Sequence, residues 1–113
     1  MKLVNLTPHA IVLRATDGTD TAIPSSGVAR VEQTPGTLED VPGVPVPVAG
    51  RSVFGEVTGL PAPAEGTLYI VSLVIAGALT GSRDDCVCPG TGPADGAVRE
   101  NGQIVAVTRL VRA

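Results

Sequence analysis

Aromatic residues are almost missing from this sequence. Phe54 and Tyr69 are the only two, and there is no tryptophan. A core must therefore be assembled from Val, Ile, Leu and Ala. A surface that grips single-stranded nucleic acid by stacking its bases is excluded by the same shortage. Lysine is nearly as scarce, since Lys2 is the only one among eight basic residues. At a net charge of −3 there is no surplus of positive charge to follow a phosphate backbone, so general nucleic-acid binding is not expected. Charge of either sign is thin, at 17% against a usual level of about 25%.

Cysteine is scarce too. Two in 113 residues do not make a disulfide framework. The longest apolar run, Leu73 to Leu79, is far short of a membrane span. Met1–Leu6 soon meets polar Thr7-Pro8-His9, which is not a secretory leader. These absences point to a cytoplasmic chain without a membrane partner and without a cofactor.

What is present in excess is turn chemistry, with 14 Gly and 10 Pro. The expected fold is mainly β, a β-rich α+β domain covering 1–113. It is read as short strands and hairpins, one short helix near 72–80, and a Pro-rich extended arm at 34–50. Strands are expected at Lys2–Leu6, Ala10–Thr16, Thr19–Ile23, Val28–Gln33, Arg51–Thr58, Thr67–Val71 and Asp84–Cys88. Asp17-Gly18 reads as a two-residue hairpin turn. Asn101-Gly102 is the strongest turn signal. It pairs Ala97–Glu100 with Gln103–Arg112, opposing Glu100 to Gln103, Val98 to Val105 and Ala97 to Ala106. Apolar residues on both faces of Gln103–Arg112 place it as a central strand. Ser72 is a fair N-cap, and Leu73, Ala76 and Leu79 share one helical face, although Gly77 weakens the helix.

The arm, Thr34 to Gly50, crowds Thr-Pro-Gly, Val-Pro-Gly and Val-Pro-Val-Pro-Val together. Proline removes ladder donors and disfavours helix before it. Its side chains are apolar, unlike those of a solvated linker. Such an arm either folds over its own core or packs on another subunit, so a homo-oligomer is one expectation.

Three groups of residues carry candidate chemistry. Asn5, Thr7 and the sole histidine, His9, alternate along an extended segment; His9 could serve as a general base. The alternative is a strand end whose polar side chains satisfy the backbone around Pro8. Cys86 and Cys88 lie on one side of a strand and read as small core residues rather than zinc ligands. Arg83-Asp84-Asp85 is the densest charge cluster, placed where the most apolar element ends. It reads as a ligand site taking His9 as well, with the arginine holding a phosphate or carboxylate. The alternative is an internal Arg–Asp pair. The Pro89–Gly96 loop could turn backbone N–H groups, with Thr91, toward an anion, although it is not a P-loop. No dinucleotide fingerprint is present.

Asn5-Leu-Thr-Pro-His9, Phe54-Gly-Glu-Val57 with Gly59-Leu-Pro61, Tyr69-Ile-Val-Ser72 and Arg83-Asp-Asp85 together resemble a group of small uncharacterised bacteriophage and prophage proteins, over most of the chain. The resemblance brings no activity and no functional residue. It implies a viral protein of one of three kinds: a virion part, an inhibitor of a host protein, or an anti-defence binder that sequesters a host signal in the host cytoplasm.

The expected function is non-enzymatic binding of a small anionic, nucleotide-like ligand. Arg30, Arg83 and Arg99 supply charge, Asp84 and Asp85 take hydroxyls, and Tyr69 or Phe54 offers the only stacking surface, with Asn5, Thr7, His9 and Thr91 beside them. The alternative is an oligomeric structural or host-interaction protein using the arm. A small hydrolase using His9 with Asp84 and Asp85 ranks third.

Overall fold

The computed structural model describes residues 1–113. In chain order the elements are β1 (Lys2–Asn5), β2 (Ile11–Arg14), β3 (Asp20–Ile23), β4 (Arg30–Thr34), β5 (Leu38–Glu39), β6 (Val48–Ala49), β7 (Val53–Thr58), β8 (Thr67–Ile70), α1 (Leu73–Ala78), β9 (Cys86–Pro89), β10 (Val98–Glu100), β11 (Gln103–Ala106) and β12 (Leu110–Arg112). The fold is β-rich, with a single short helix.

A four-stranded sheet in the order β1-β8-β9-β12 forms the centre. β1, β8 and β9 run parallel, and β12 closes the edge antiparallel to β9. A parallel pair needs a crossover, which α1 supplies between β8 and β9. β8 is central because Tyr69, Ile70 and Val71 bury completely or nearly so. Alternation sends Tyr69, Val71, Cys86 and Cys88 toward α1, where Ile75, Ala76 and Leu79 meet them. Ile70 and Val87, opposite each other in register, point to the other face. There Ala106 and Val107 are also buried. Ser72 does cap α1 with an extended backbone, but its hydroxyl makes no cap hydrogen bond.

The two expected hairpins form with altered registers. Asn101 and Gly102 both take positive φ, as a tight turn requires. Glu100 does oppose Gln103, but a bulge after Val98 pairs it with Ala106 rather than Val105. Asp17-Gly18 lies in a longer loop than a two-residue turn. The Ala15 and Thr19 backbones close it, and Gly18 holds the left-handed position.

The C-terminal run is not one central strand. It breaks at Val107–Arg109, leaving β11 in the β10–β11 hairpin and β12 at the sheet edge. The reason is Val107, whose N–H donates to Val12 and whose carbonyl accepts from Arg14. That diversion stitches the C-terminus to β2 and ends the β11 ladder.

The segment 30–58 is a long hairpin. β4 pairs with β7, and β5 with β6 farther out. Only its base joins the core, through Ala29, Val31, Val57 and Leu60. From Glu32 to Glu56 every residue except Gly36 is exposed. At Gly36 a Cβ would stand 2.3 Å from the Gly50 backbone, so the two limbs touch there without room for side chains. The arm stretches the molecule to 55 × 37 × 21 Å, with a radius of gyration of 17.0 Å. A compact domain of this length has about 13 Å.

Candidate functional site

Parallel strands deliver their following residues to one edge of the sheet, and clefts in parallel sheets lie beyond these carboxyl ends. Here that edge carries Thr7 and His9 after β1, Ser72 and Leu73 after β8, and Pro89 and Thr91 at the end of β9. They line a shallow cleft of about 250 Å³. Ile11, Pro89 and Thr91 continue it into a neighbouring apolar groove beside Ile104 and Val107.

Asn5 builds the near wall. Its side chain is fully buried. Its Nδ2 donates to the carbonyls of His9 and Ile23, each at 2.9 Å. Its Oδ1 accepts from the Thr7 N–H at 3.0 Å and the Thr7 hydroxyl at 2.6 Å. The Ser25 hydroxyl secures the same turn by donating to the Thr7 carbonyl at 2.6 Å. Asn5 is therefore a buried clamp that folds Thr7-Pro8-His9 back over β3, not a ligand contact. The imidazole of His9 projects into solvent at the rim.

The far wall is the 89–96 loop. It was expected to offer its N–H groups to an outside anion. Instead the carboxylate of Asp95 accepts from the Gly92 N–H at 2.9 Å. A Cβ at Gly92 would lie 2.8 Å from that carboxylate, so glycine permits the approach. The loop already contains its anion. Arg99 reaches it from β10, donating to the Thr91 carbonyl at 3.4 Å.

The Arg83–Asp85 cluster lies elsewhere. Asp85 immediately precedes β9, and its carbonyl accepts from Tyr69 at 2.9 Å. That places it at the amino end of the strand whose carboxyl end meets the cleft. Arg83 and His9 are therefore at opposite ends of the sheet, and the expected joint site does not form. Nor can Asp84 or Asp85 serve His9 in hydrolysis, and no carboxylate lines the cleft.

The physical reason is that Arg83 and Asp85 are each other's partners. The guanidinium grips the carboxylate twice at 2.8 Å, and its Nη2 donates to the Pro61 carbonyl at 3.0 Å. Both side chains are largely buried, at 19% and 12% exposure. The Arg83 hydrogen bond holds the Asp85 carboxyl below its ordinary pKa. Arg83 also lies 6.0 Å from the Tyr69 ring centroid, whose hydroxyl donates to Ala62 at 3.2 Å. The cluster thus pins the 59–66 loop to the sheet.

Tyr69 is buried and offers no stacking face. Asp84 is exposed, and its carbonyl accepts from Arg112. Arg30 is exposed at the base of the arm beside Glu32 and Glu56, away from the cleft. Cys86 and Cys88 are free and buried, and burial raises both thiol pKa values. No three His, Cys, Asp or Glu side chains come together as a metal site.

Of the ten candidate residues, the structure gathers Thr7, His9 and Thr91, with Arg99 behind Thr91. It adds Ser72, which the sequence presented only as a helix cap. Its usable signal was position, directly after the most apolar strand. No family model matches the chain, and neither a curated protein nor a solved structure does. No helix is long and apolar enough to cross a membrane.

Proposed function

We propose that this chain is a non-enzymatic assembly protein that works as a homo-oligomer in the cytoplasm, joined through the 30–58 hairpin arm. One observation carries the reading: the arm is apolar and has nothing to pack against. Leu38 is 66% exposed, Val46 62% and Val53 66%, with Phe54 at 43%. Exposed apolar clusters of this kind mark interaction surfaces.

The area supports it. The chain exposes 7581 Å², whereas a monomer of its mass would expose about 5,800 Å². The surplus, about 1,800 Å², exceeds the roughly 800 Å² that each partner buries in a standard interface. Sedimentation velocity over a concentration series tests the proposal. Reversible dimers or larger species are expected, and Leu38→Asp with Val46→Asp should return the protein to monomers. A wild-type protein that stays monomeric throughout overturns it.

The cleft favours a second reading, the binding of a small polar ligand, nucleotide-like in the sequestering role that the phage resemblance implies. Its specific support is the uncapped Ser72 hydroxyl facing the same space as His9 and Thr91. Thermal shift against nucleotides and cyclic nucleotides checks it. A ligand at a hundredfold its Kd adds about 2.7 kcal/mol. No shift with any of them removes this reading.

A further inference from the structure

An arm that assembles copies needs a receiving surface, and the fold contains one of matching chemistry. On the sheet face opposite α1, the hairpin of β2 and β3 stands off from β1 and β12. Leu3, Leu13, Ile23, Val107 and Leu110 line the groove between them, about 320 Å³ in volume and mostly apolar. That is near the lower size limit of a ligand pocket, about 300 Å³. No side chain of the same chain fills it.

We infer that this groove receives the arm tip of a second copy, with Val44, Val46 and Val48 entering it and Glu39-Asp40 meeting the arginines on its rim. The inference rests on the proposal that the chain self-associates through its arm, and it names the surface that receives the arm.

Three observations lead to that occupant. The first is charge. Arg14 and Arg109 border the groove. Arg14 is held by Asp20 at 2.7 Å, but Arg109 stands 3.9 Å from Asp95 and is 57% exposed. Glu39 and Asp40, at the distal end of the arm, are exposed and form no ion pair within the chain. An acidic pair flanked by valines thus faces an apolar groove flanked by arginines. Complementary charge of this kind sets register and partner choice.

The second is direction. The base of the arm packs beside α1, whereas the groove is on the other face of the sheet. The tip stays exposed on its own chain and contributes no residue to the groove, so the occupant is taken from another molecule. The third is area. A chain that gives one arm and receives one makes two contacts, and the surplus surface of about 1,800 Å² accommodates two burials of roughly 800 Å² each.

The test is a charge exchange read by sedimentation velocity, with circular dichroism melts confirming that each variant folds. Arg109→Glu repels the incoming Glu39-Asp40 and should weaken self-association at least about tenfold, as expected for a charge pair at an interface. Glu39→Arg with Asp40→Arg should weaken it similarly. Mixing these two proteins should restore association, because each supplies the surface that the other has lost. Thr21→Glu, at the exposed groove wall, should weaken assembly by repelling the acidic tip without touching the arm.

If Val46→Asp breaks assembly while Arg109→Glu and Thr21→Glu do not, the arm docks elsewhere. The groove inference then fails while self-association through the arm stands. If the wild-type protein is monomeric at about 100 µM, a concentration at which even modest affinities are populated, both fail.

Discussion

The central sheet and the arm are built from the same few residue types, yet they hold their apolar side chains in opposite conditions. In the sheet Ile70, Val71 and Cys86 are entirely out of water. In the arm Val46 and Val53 are mostly in it. Both regions satisfy their backbone by pairing, β8 between two neighbours and β4 with β7. What separates them is a second layer: α1 and the β2–β3 and β10–β11 hairpins cover the sheet, and nothing covers the arm. Hydrogen bonding alone therefore sets the arm's shape, while burial sets the sheet's stability. A two-stranded ribbon without a packed face is marginal by itself. This arm gains rigidity from Pro42, Pro45 and Pro47 and from the close Gly36–Gly50 contact.

The contrast breaks most sharply when the same charge enters each region. Val107 is 4% exposed and sits under β2. Val107→Asp should cost about 4 kcal/mol or more, because a carboxylate replacing a buried side chain loses its solvation there. With total stability of about 5–15 kcal/mol, the variant should be largely unfolded or melt far below wild type. A thermal melt by circular dichroism reads this directly. A change of only a few degrees would mean that the stitch between Val107 and β2 does not hold the fold.

Asn5 tests whether the carboxyl edge of the sheet is as firmly made as its middle. Asn5→Ala takes a partner from the Thr7 N–H and from the carbonyls of His9 and Ile23, while the Thr7 hydroxyl keeps the His9 carbonyl as its acceptor at 3.0 Å. Water can rescue some of them at the rim. The expected loss is roughly 2–4 kcal/mol, above that of a single hydrogen bond. Hydrogen exchange at the Thr7 amide should accelerate with it.

How much of this was legible in the sequence follows from where each signal lives. Local chemistry was readable: Asn101-Gly102 makes its turn, Ser72–Leu79 contains the helix, and Thr34–Gly50 is the outer part of an arm whose base, β4 with β7, extends it to 30–58. The parallel pairing of β1 with β8 was not, because it joins residues some 65 positions apart, Lys2 with Thr67, and leaves no turn between them. The end of the last strand at Val107 also depends on a distant partner, Val12. The candidate site failed for a related reason. Arg83 and Asp85 were recognisable as a charge cluster, but adjacent opposite charges satisfy each other first when a fold can orient them. His9 was recognisable as exposed chemistry, while its neighbours Ser72 and Thr91 arrive from other strands.

The Arg83–Asp85 pair occupies the middle of the scale. Arg83→Ala strands the Asp85 carboxylate and the Pro61 carbonyl in a largely dry place, so about 2 kcal/mol should be lost. The pH dependence has a defined sign. The Asp85 carboxyl is held low by Arg83 in the folded protein. Its contribution is therefore fully present above the unfolded carboxyl pKa, about 3.9. It is lost as pH falls below that value through the lower folded one. Asp85→Asn should thus lower the melting temperature at neutral pH and differ progressively less from wild type in acid. A deficit that grew in acid would show that the pair does not carry this linkage.

The smallest expected effect on the folded chain is the arm's. Val46→Asp puts a carboxylate where the wild-type side chain is already 62% exposed. Nothing is desolvated, no cavity forms, and the β4–β7 ladder at the arm's base is untouched. A surface change of this kind stays within about 0.5 kcal/mol. The measurement belongs at high dilution, where assembly does not contribute, because association stabilises the native state in proportion to occupancy. There the melts of Val46→Asp and wild type should coincide. As concentration rises, wild type should gain stability and the variant should not. Parallel behaviour at every concentration would show that the arm's valines face solvent in every state of the protein. A large deficit at dilution would show instead that the arm packs on its own chain.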